Sequence, residues 1–141
     1  APRQKIKMGY SNAKGANGER EAAEFFDKLV TPDFHLCRIG GIEARKMVLA
    51  GDVAVLSSCR KHRFQGRQDA KNCPFYDYFI EVKCQASPNI WKDMEKAGDD
   101  AELSGKIGVV GYFIRQKKGE KGKRLIVMSP ETFKKMYEKS A

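Results

Sequence analysis

Phe79-Ile80-Glu81-Val82-Lys83-Cys84 is the stretch on which the reading of this chain turns. Apolar and charged residues alternate along it, the period-two pattern of a strand with one buried face. In such a strand Ile80, Val82 and Cys84 share one face, and Glu81 and Lys83 share the other. The carboxylate and the ammonium then stand roughly 7 Å apart along the strand. An isolated E-x-K of this kind is usually an ordinary half-exposed charge pair. Its weight comes from upstream, where Gly51-Asp52-Val53-Ala54-Val55-Leu56 sets an aspartate at the head of an apolar strand. If the two strands pair, Asp52 and Glu81 converge at one edge of the sheet. Two carboxylates and a strand carbonyl, that of Val82, are hard oxygen ligands of the sort that Mg²⁺ takes, with Mn²⁺ able to substitute. Lys83 can then orient or deprotonate a water, or steady the charge of a phosphorane.

Around these two strands the chain reads as alternating elements. A helix opens after the turn-forming 14–18 segment, with an apolar stripe of Ala22, Phe25, Phe26, Leu29 and Val30. Thr31-Pro32-Asp33 ends it. Strands follow at 34–39, 52–56 and 76–84, a helix at 90–103, strands at 107–114 and 125–128, and a helix at 131–139 begun by Ser129 as N-cap and Pro130. The order α-β-β-β-α-β-β-α predicts an α/β fold with a central mixed sheet flanked by helices. Residues 1–13 read as a loose basic arm. Residues 57–75 are a basic insertion between the two chemistry-bearing strands, too long for a tight hairpin loop. The 42–50 segment fits a loop or a short helical turn equally.

The chain has 141 residues, enough for one domain over 1–141. No apolar run nears the roughly 20 residues of a membrane span, and the N-terminus has no apolar signal stretch. The expectation is a soluble, cytoplasmic protein without a membrane role. A net charge of +9 favours polyanionic partners, nucleic acid first. The basic residues cluster at 3–7, 60–67, 115–124 and 134–139. Of the four cysteines, none forms a C-x-x-C pair, so a disulfide framework is not expected. Cys37 and Cys84 read as small buried hydrophobes.

The first helix adds a third carboxylate. At roughly 100° per residue, Glu19 falls on the side of Ala22 and Phe26, while Glu21 and Glu24 point away. A carboxylate on the buried side needs an offset, which a metal between helix and sheet would supply. The alternative is a boundary glutamate or a capping contact around Asn17.

Taken in series, Lys14-Gly15-Ala16-Asn17-Gly18-Glu19-Arg20-Glu21, Leu36-Cys37-Arg38, Gly51-Asp52-Val53 and Ile80-Glu81-Val82-Lys83 resemble the motifs of archaeal-type Holliday junction resolvases, members of the PD-(D/E)xK nuclease superfamily. The resemblance runs over about residues 14–128 and lies in the short motifs. It implies a restriction-endonuclease-like fold, Mg²⁺-dependent cleavage of branched DNA, and a homodimer that nicks two opposed strands. Carried over, Asp52 and Glu81 would bind metal with the Val82 carbonyl, Glu19 would bind it directly or through water, and Lys83 would be the catalytic lysine. Lys14, Arg20 and Arg38 would hold phosphates, and Gln85 would be a polar helper. The chain departs from the family at 47–50, where no serine precedes the aspartate. It departs again at the insertion, where the family has a short turn. Both departures bear on junction specificity more than on nuclease chemistry.

The insertion carries Arg60, Lys61, His62, Arg63, Arg67 and Lys71, suited to lie along a DNA backbone. Alternatively Cys59, His62 and Cys73 could bind zinc, with Cys37, Cys84 or a carboxylate as fourth ligand. C-x-x-H followed by a distant cysteine is not a standard finger spacing, so Mg²⁺ rather than zinc is the expected cofactor, and His35 reads as a strand residue. Two other functions fit the same residues: a nicking, restriction-like or exonucleolytic enzyme on other DNA, and a non-catalytic DNA-binding module. The second is disfavoured because Glu19, Asp52 and Glu81 would repel phosphate without a cation.

Overall fold

The computed structural model describes residues 2–39, 51–56, 58–59, 62–117 and 122–140, with the backbone alone for residues 2–14 and Cys59. The 42–50 segment, Arg60 and Lys61 lie outside the described residues, as does the side chain of Lys14. The elements are α1 (Pro2–Leu29), β1 (His35–Arg38), β2 (Val53–Leu56), β3 (Ser58–Cys59), β4 (Phe64–Gln65), β5 (Tyr78–Gln85), α2 (Ile90–Leu103), β6 (Gly108–Arg115), β7 (Lys123–Val127) and α3 (Pro130–Ser140). Five strands form one sheet in the order β1-β2-β5-β6-β7. β5 and β6 are parallel, and the other neighbours are antiparallel. A parallel pair needs a crossover, and α2 supplies it. The sheet is mixed, flanked by helices, and restriction-endonuclease-like in topology.

The alternation in the E-x-K strand divides the two faces as a period of two requires. Ile80 and Val82 turn to the side of α1, where Ala22, Ala23 and Phe26 pack with Leu36, Val53, Val55, Val110, Tyr112 and Ile114. Phe79 and Val109 turn to the other side and meet Ala97 and Ala101 of α2. Phe26 is 2% exposed and stacks edge-on to Phe75, at a ring separation of 5.2 Å. Of the stripe read from the sequence, Leu29 is 59% exposed, and Phe25 is 40% exposed with its ring 5.5 Å from that of Tyr112. Ser129 caps α3 as expected: its hydroxyl accepts from the Thr132 N–H at 3.1 Å, and Pro130 opens the helix.

One expectation is corrected. α1 begins at Pro2, so residues 2–13 are helical backbone and not a loose arm; neither Gly9 nor Gly15 interrupts the ladder. The glycine-bearing segment around Gly18 instead brings the helix close to the sheet. A Cβ on Gly18 would lie 3.1 Å from Cβ of Cys84. The insertion contains a short hairpin. β3 and β4 form a two-residue ladder, Ser58 facing Gln65 and Cys59 facing Phe64. A 3₁₀ turn at Ala70–Asn72 follows, capped by Asp69, and it sinks Ala70 and Cys73 into the core. No helix among the described residues is long and apolar enough to cross a membrane.

Candidate functional site

Asp52 reaches β5 because Gly51 lets the chain make a turn that other residues resist. Gly51 has φ +97°, and a Cβ there would stand 2.8 Å from the Ile80 carbonyl oxygen. The Asp52 N–H donates to the Ile80 carbonyl at 2.9 Å, and the Ile39 N–H donates to the Asp52 carbonyl at 2.9 Å. The Asp52 carboxylate is thereby held against the E-x-K strand, where Oδ2 accepts from the Val82 N–H at 2.8 Å. Glu81 and Lys83 flank that amide. Lys83 Nζ stands 3.7 Å from Glu81 Oε1. Glu19 approaches from α1, its Oε2 2.6 Å from Nε of Arg38 on β1.

Negative charge is crowded here. Burial pushes the Asp52 carboxyl up to about 6, and neighbouring Glu19 adds to the rise against the opposing pull of the Val82 N–H and Lys83. Burial pushes Glu81 up to about 7, with Asp52, Asp100 and Asp93 adding to it and Lys83 opposing. Both carboxyls therefore carry protons well into the range where an ordinary carboxylate is ionised. Asp93 on α2 is a participant the sequence reading missed. Its Oδ2 is buried without a hydrogen-bond partner among the described residues. The only sequence signal would have been Asp93 and Asp100 seven apart on the helix that follows the E-x-K strand.

The structure thus brings Glu19, Asp52, Glu81 and Lys83 into one neighbourhood, with Arg38 tied to Glu19. Arg20 is exposed and donates from Nη1 to Asn17 Oδ1 at 3.0 Å. Arg63, Arg67 and Lys71 are exposed on the insertion, and Gln85 is exposed at the end of β5. Glu21, read as pointing away, is instead a tie between α1 and the sheet. It accepts from Tyr112 Oη at 2.8 Å and from Arg124 at 3.0 and 2.6 Å through both carboxylate oxygens. The Arg124 bonds first, then Tyr112, hold its carboxyl below the ordinary value. The hydrogen bond to Glu21 and, above all, burial push the Tyr112 phenol up to about 12.

A second cluster overturns the cofactor expectation. Ligand atoms of His35, Cys37 and His62 lie within 4.8 Å of one another, the one such set of three among the described residues. Two imidazoles and a thiol are a nitrogen and sulfur set suited to zinc, not to Mg²⁺ or Mn²⁺. The expectation of Mg²⁺ with zinc set aside is therefore wrong for the ligand set this chain assembles. Two cysteines named in the zinc alternative, Cys73 and Cys84, are not members of this cluster. Cys73 is fully buried in the core beside α1, where desolvation pushes its thiol up. Cys84 sits by Gly18 on β5, and the side chain of Cys59 lies outside the described residues. His35, read as a plain strand residue, and Cys37, read as a small buried hydrophobe or as a fourth zinc ligand, are both half-buried members of the cluster.

In comparisons with protein families, curated proteins and solved structures, this chain has no match. A clustered His/Cys/His site on a nuclease-like α/β fold is consistent with a metal-binding enzyme.

Proposed function

We propose that this protein is a DNA endonuclease of the PD-(D/E)xK type, acting on branched DNA and, by preference, on four-way junctions. The observation that carries the reading is the 2.8 Å hydrogen bond from the Val82 N–H to the Asp52 carboxylate. It sets Asp52 beside the E-x-K residues, as the motif series requires. The net charge of +9 supports a polyanionic substrate.

Asp52 and Glu81 would hold a divalent cation, with Glu19 and the Val82 carbonyl as further oxygen donors. The fit rests on the hard oxygen donors gathered at this edge of the sheet and on the buried, unpartnered Asp93 Oδ2. When bound, the cation supplies positive charge that polarises the scissile phosphate. Lys83 is suited to orient or deprotonate the attacking water. Lys83 faces the charge that develops on the phosphorane. Arg38 orients Glu19 and, with Lys14 and Arg20, contacts the DNA backbone. Arg60, Lys61, Arg63, Arg67 and Lys71 on the insertion, and Gln85 at the end of β5, extend that contact. Symmetric nicking of a junction requires two such sites, so the acting form is a homodimer.

The test is cleavage of a labelled, immobile four-way junction beside linear duplex and single strand, across a series of divalent cations. Chelator and Asp52→Asn serve as controls. Paired symmetric nicks in the junction alone, lost in both controls, are the expected result. Equal cutting of duplex would retain the nuclease and remove the junction preference. Tight binding without cleavage under every cation would overturn the catalytic reading.

A further inference from the structure

Strand alternation puts His35 and Cys37 two residues apart on the same side of β1, which is an edge strand. His62 comes from the turn of the β3–β4 hairpin. The next residue, Arg63, has φ +51°, a left-handed conformation that folds the turn sharply. The result is a close meeting of three donors: His35 Nε2 lies 3.2 Å from His62 Nδ1, and Cys37 Sγ lies 3.8 Å from the same nitrogen. A tetrahedral zinc with ordinary bond lengths separates two nitrogen ligands by about 3.3 Å and nitrogen from sulfur by about 3.6 Å. These two spacings lie within a few tenths of an ångström of those values, and all three donor atoms lie within 4.8 Å of one another.

A second observation points the same way. His35 Nδ1 is 2.9 Å from Asp27 Oδ1, which also accepts the Leu36 N–H at 2.9 Å. A carboxylate acceptor places the imidazole proton on Nδ1 and leaves the lone pair of Nε2 directed at the cluster. Histidines that bind metal are commonly oriented by a carboxylate in this way.

We propose that His35, Cys37 and His62 bind zinc, and that the ion clips the β3–β4 hairpin to the edge of the sheet. A ladder of two residue pairs cannot hold itself in water. Among the described residues, Phe64 against the His35 ring at 5.4 Å and Gln68 Nε2 to Asp33 Oδ2 at 3.1 Å also join this region to the chain around β1. Three protein ligands leave a fourth position for water or another donor. On binding, the Cys37 thiol gives up its proton and the thiolate sulfur bonds the metal. The site is independent of the phosphodiester chemistry proposed above, since none of its ligands belongs to the Glu19–Asp52–Glu81–Lys83 group.

The experiment titrates chelator-stripped full chain with Co²⁺ alone as a spectroscopic stand-in, followed by Zn²⁺. A near-ultraviolet thiolate-to-cobalt band with intense tetrahedral bands in the visible is expected, saturating at about one ion per chain and abolished by zinc. Cys37→Ser should remove the thiolate band, and Cys84→Ser should keep it. Asp27→Asn should weaken binding by about 10- to 100-fold while leaving the spectrum in place. Far-ultraviolet circular dichroism separates loss of the site from loss of the fold. Weak octahedral bands alone in the wild type, or a thiolate band that survives Cys37→Ser, would overturn the proposal.

Discussion

Replacing Asp52 with asparagine should stabilise the metal-free protein, and the gain should depend on pH. The Oδ1 of asparagine can still accept the Val82 N–H, so the substitution removes charge while keeping the hydrogen bond. In the folded chain Asp52 is raised from 3.8 to about 6. Between those values the unfolded chain is ionised while the folded chain retains its proton. The unfolded state therefore binds fewer protons, and stability falls as pH rises through that window. Above it, the loss is constant. At about 1.36 kcal/mol per pH unit the full displacement corresponds to roughly 3 kcal/mol. Glu81 shares the crowding with Asp52 and can hold the proton in its place, so about 1–2 kcal/mol is the expected gain at about pH 8. Urea denaturation of wild type and variant in chelator, at about pH 8 and about pH 4.5, measures it. The gain should shrink by half or more at the lower pH, where much of the wild-type penalty has not yet developed. An equal gain at both values, or a loss at the higher one, would refute the claim that Asp52 is an electrostatically costly carboxylate.

Glu21→Gln should act with the opposite sign. Glu21 is held below the ordinary carboxyl value, so its stabilisation is present above about pH 4.5 and vanishes as pH falls through the folded value. Its side chain and that of Arg124 are 37% and 40% exposed, so the variant should lose only about 0.5–1 kcal/mol at neutral pH, read from thermal melts. Gly51→Ala should cost about 1–3 kcal/mol, since it sets a Cβ against the Ile80 carbonyl at a positive φ, and it should also depress cleavage by displacing Asp52. Phe26→Ala, which empties a site between α1 and the sheet, should cost about 3–5 kcal/mol in denaturant unfolding.

Most of what was legible beforehand is local in the chain. The alternation in Phe79–Cys84, the Ser129-Pro130 helix start and the extent of α2 follow from steric and hydrogen-bonding rules that act over a few residues. The Glu21 contact was misread because helical phase alone shows which way a side chain leaves the axis. It does not show that Arg124, 103 residues on, will be standing there. Asp93 was missed for the same reason: its burial beside Glu81 depends on how α2 crosses back over the sheet.

The sequence by itself determined the alternating order of elements, the shared face of Glu81 and Lys83, and the basic balance of the whole chain. Each is a property of composition or of short-range periodicity, and neighbours along the backbone suffice to produce it. The tertiary structure alone decided that Asp52 meets the Val82 amide, that Cys73 goes to the core, and that His62 folds back onto His35 and Cys37. The hydrogen-bonding contacts among these join residues 25 to 30 apart along the chain. Closing such loops costs chain entropy that must be recovered by burial, hydrogen bonding or a bound ion. Which closures win depends on the packing of the entire molecule, a quantity that no single stretch of sequence carries.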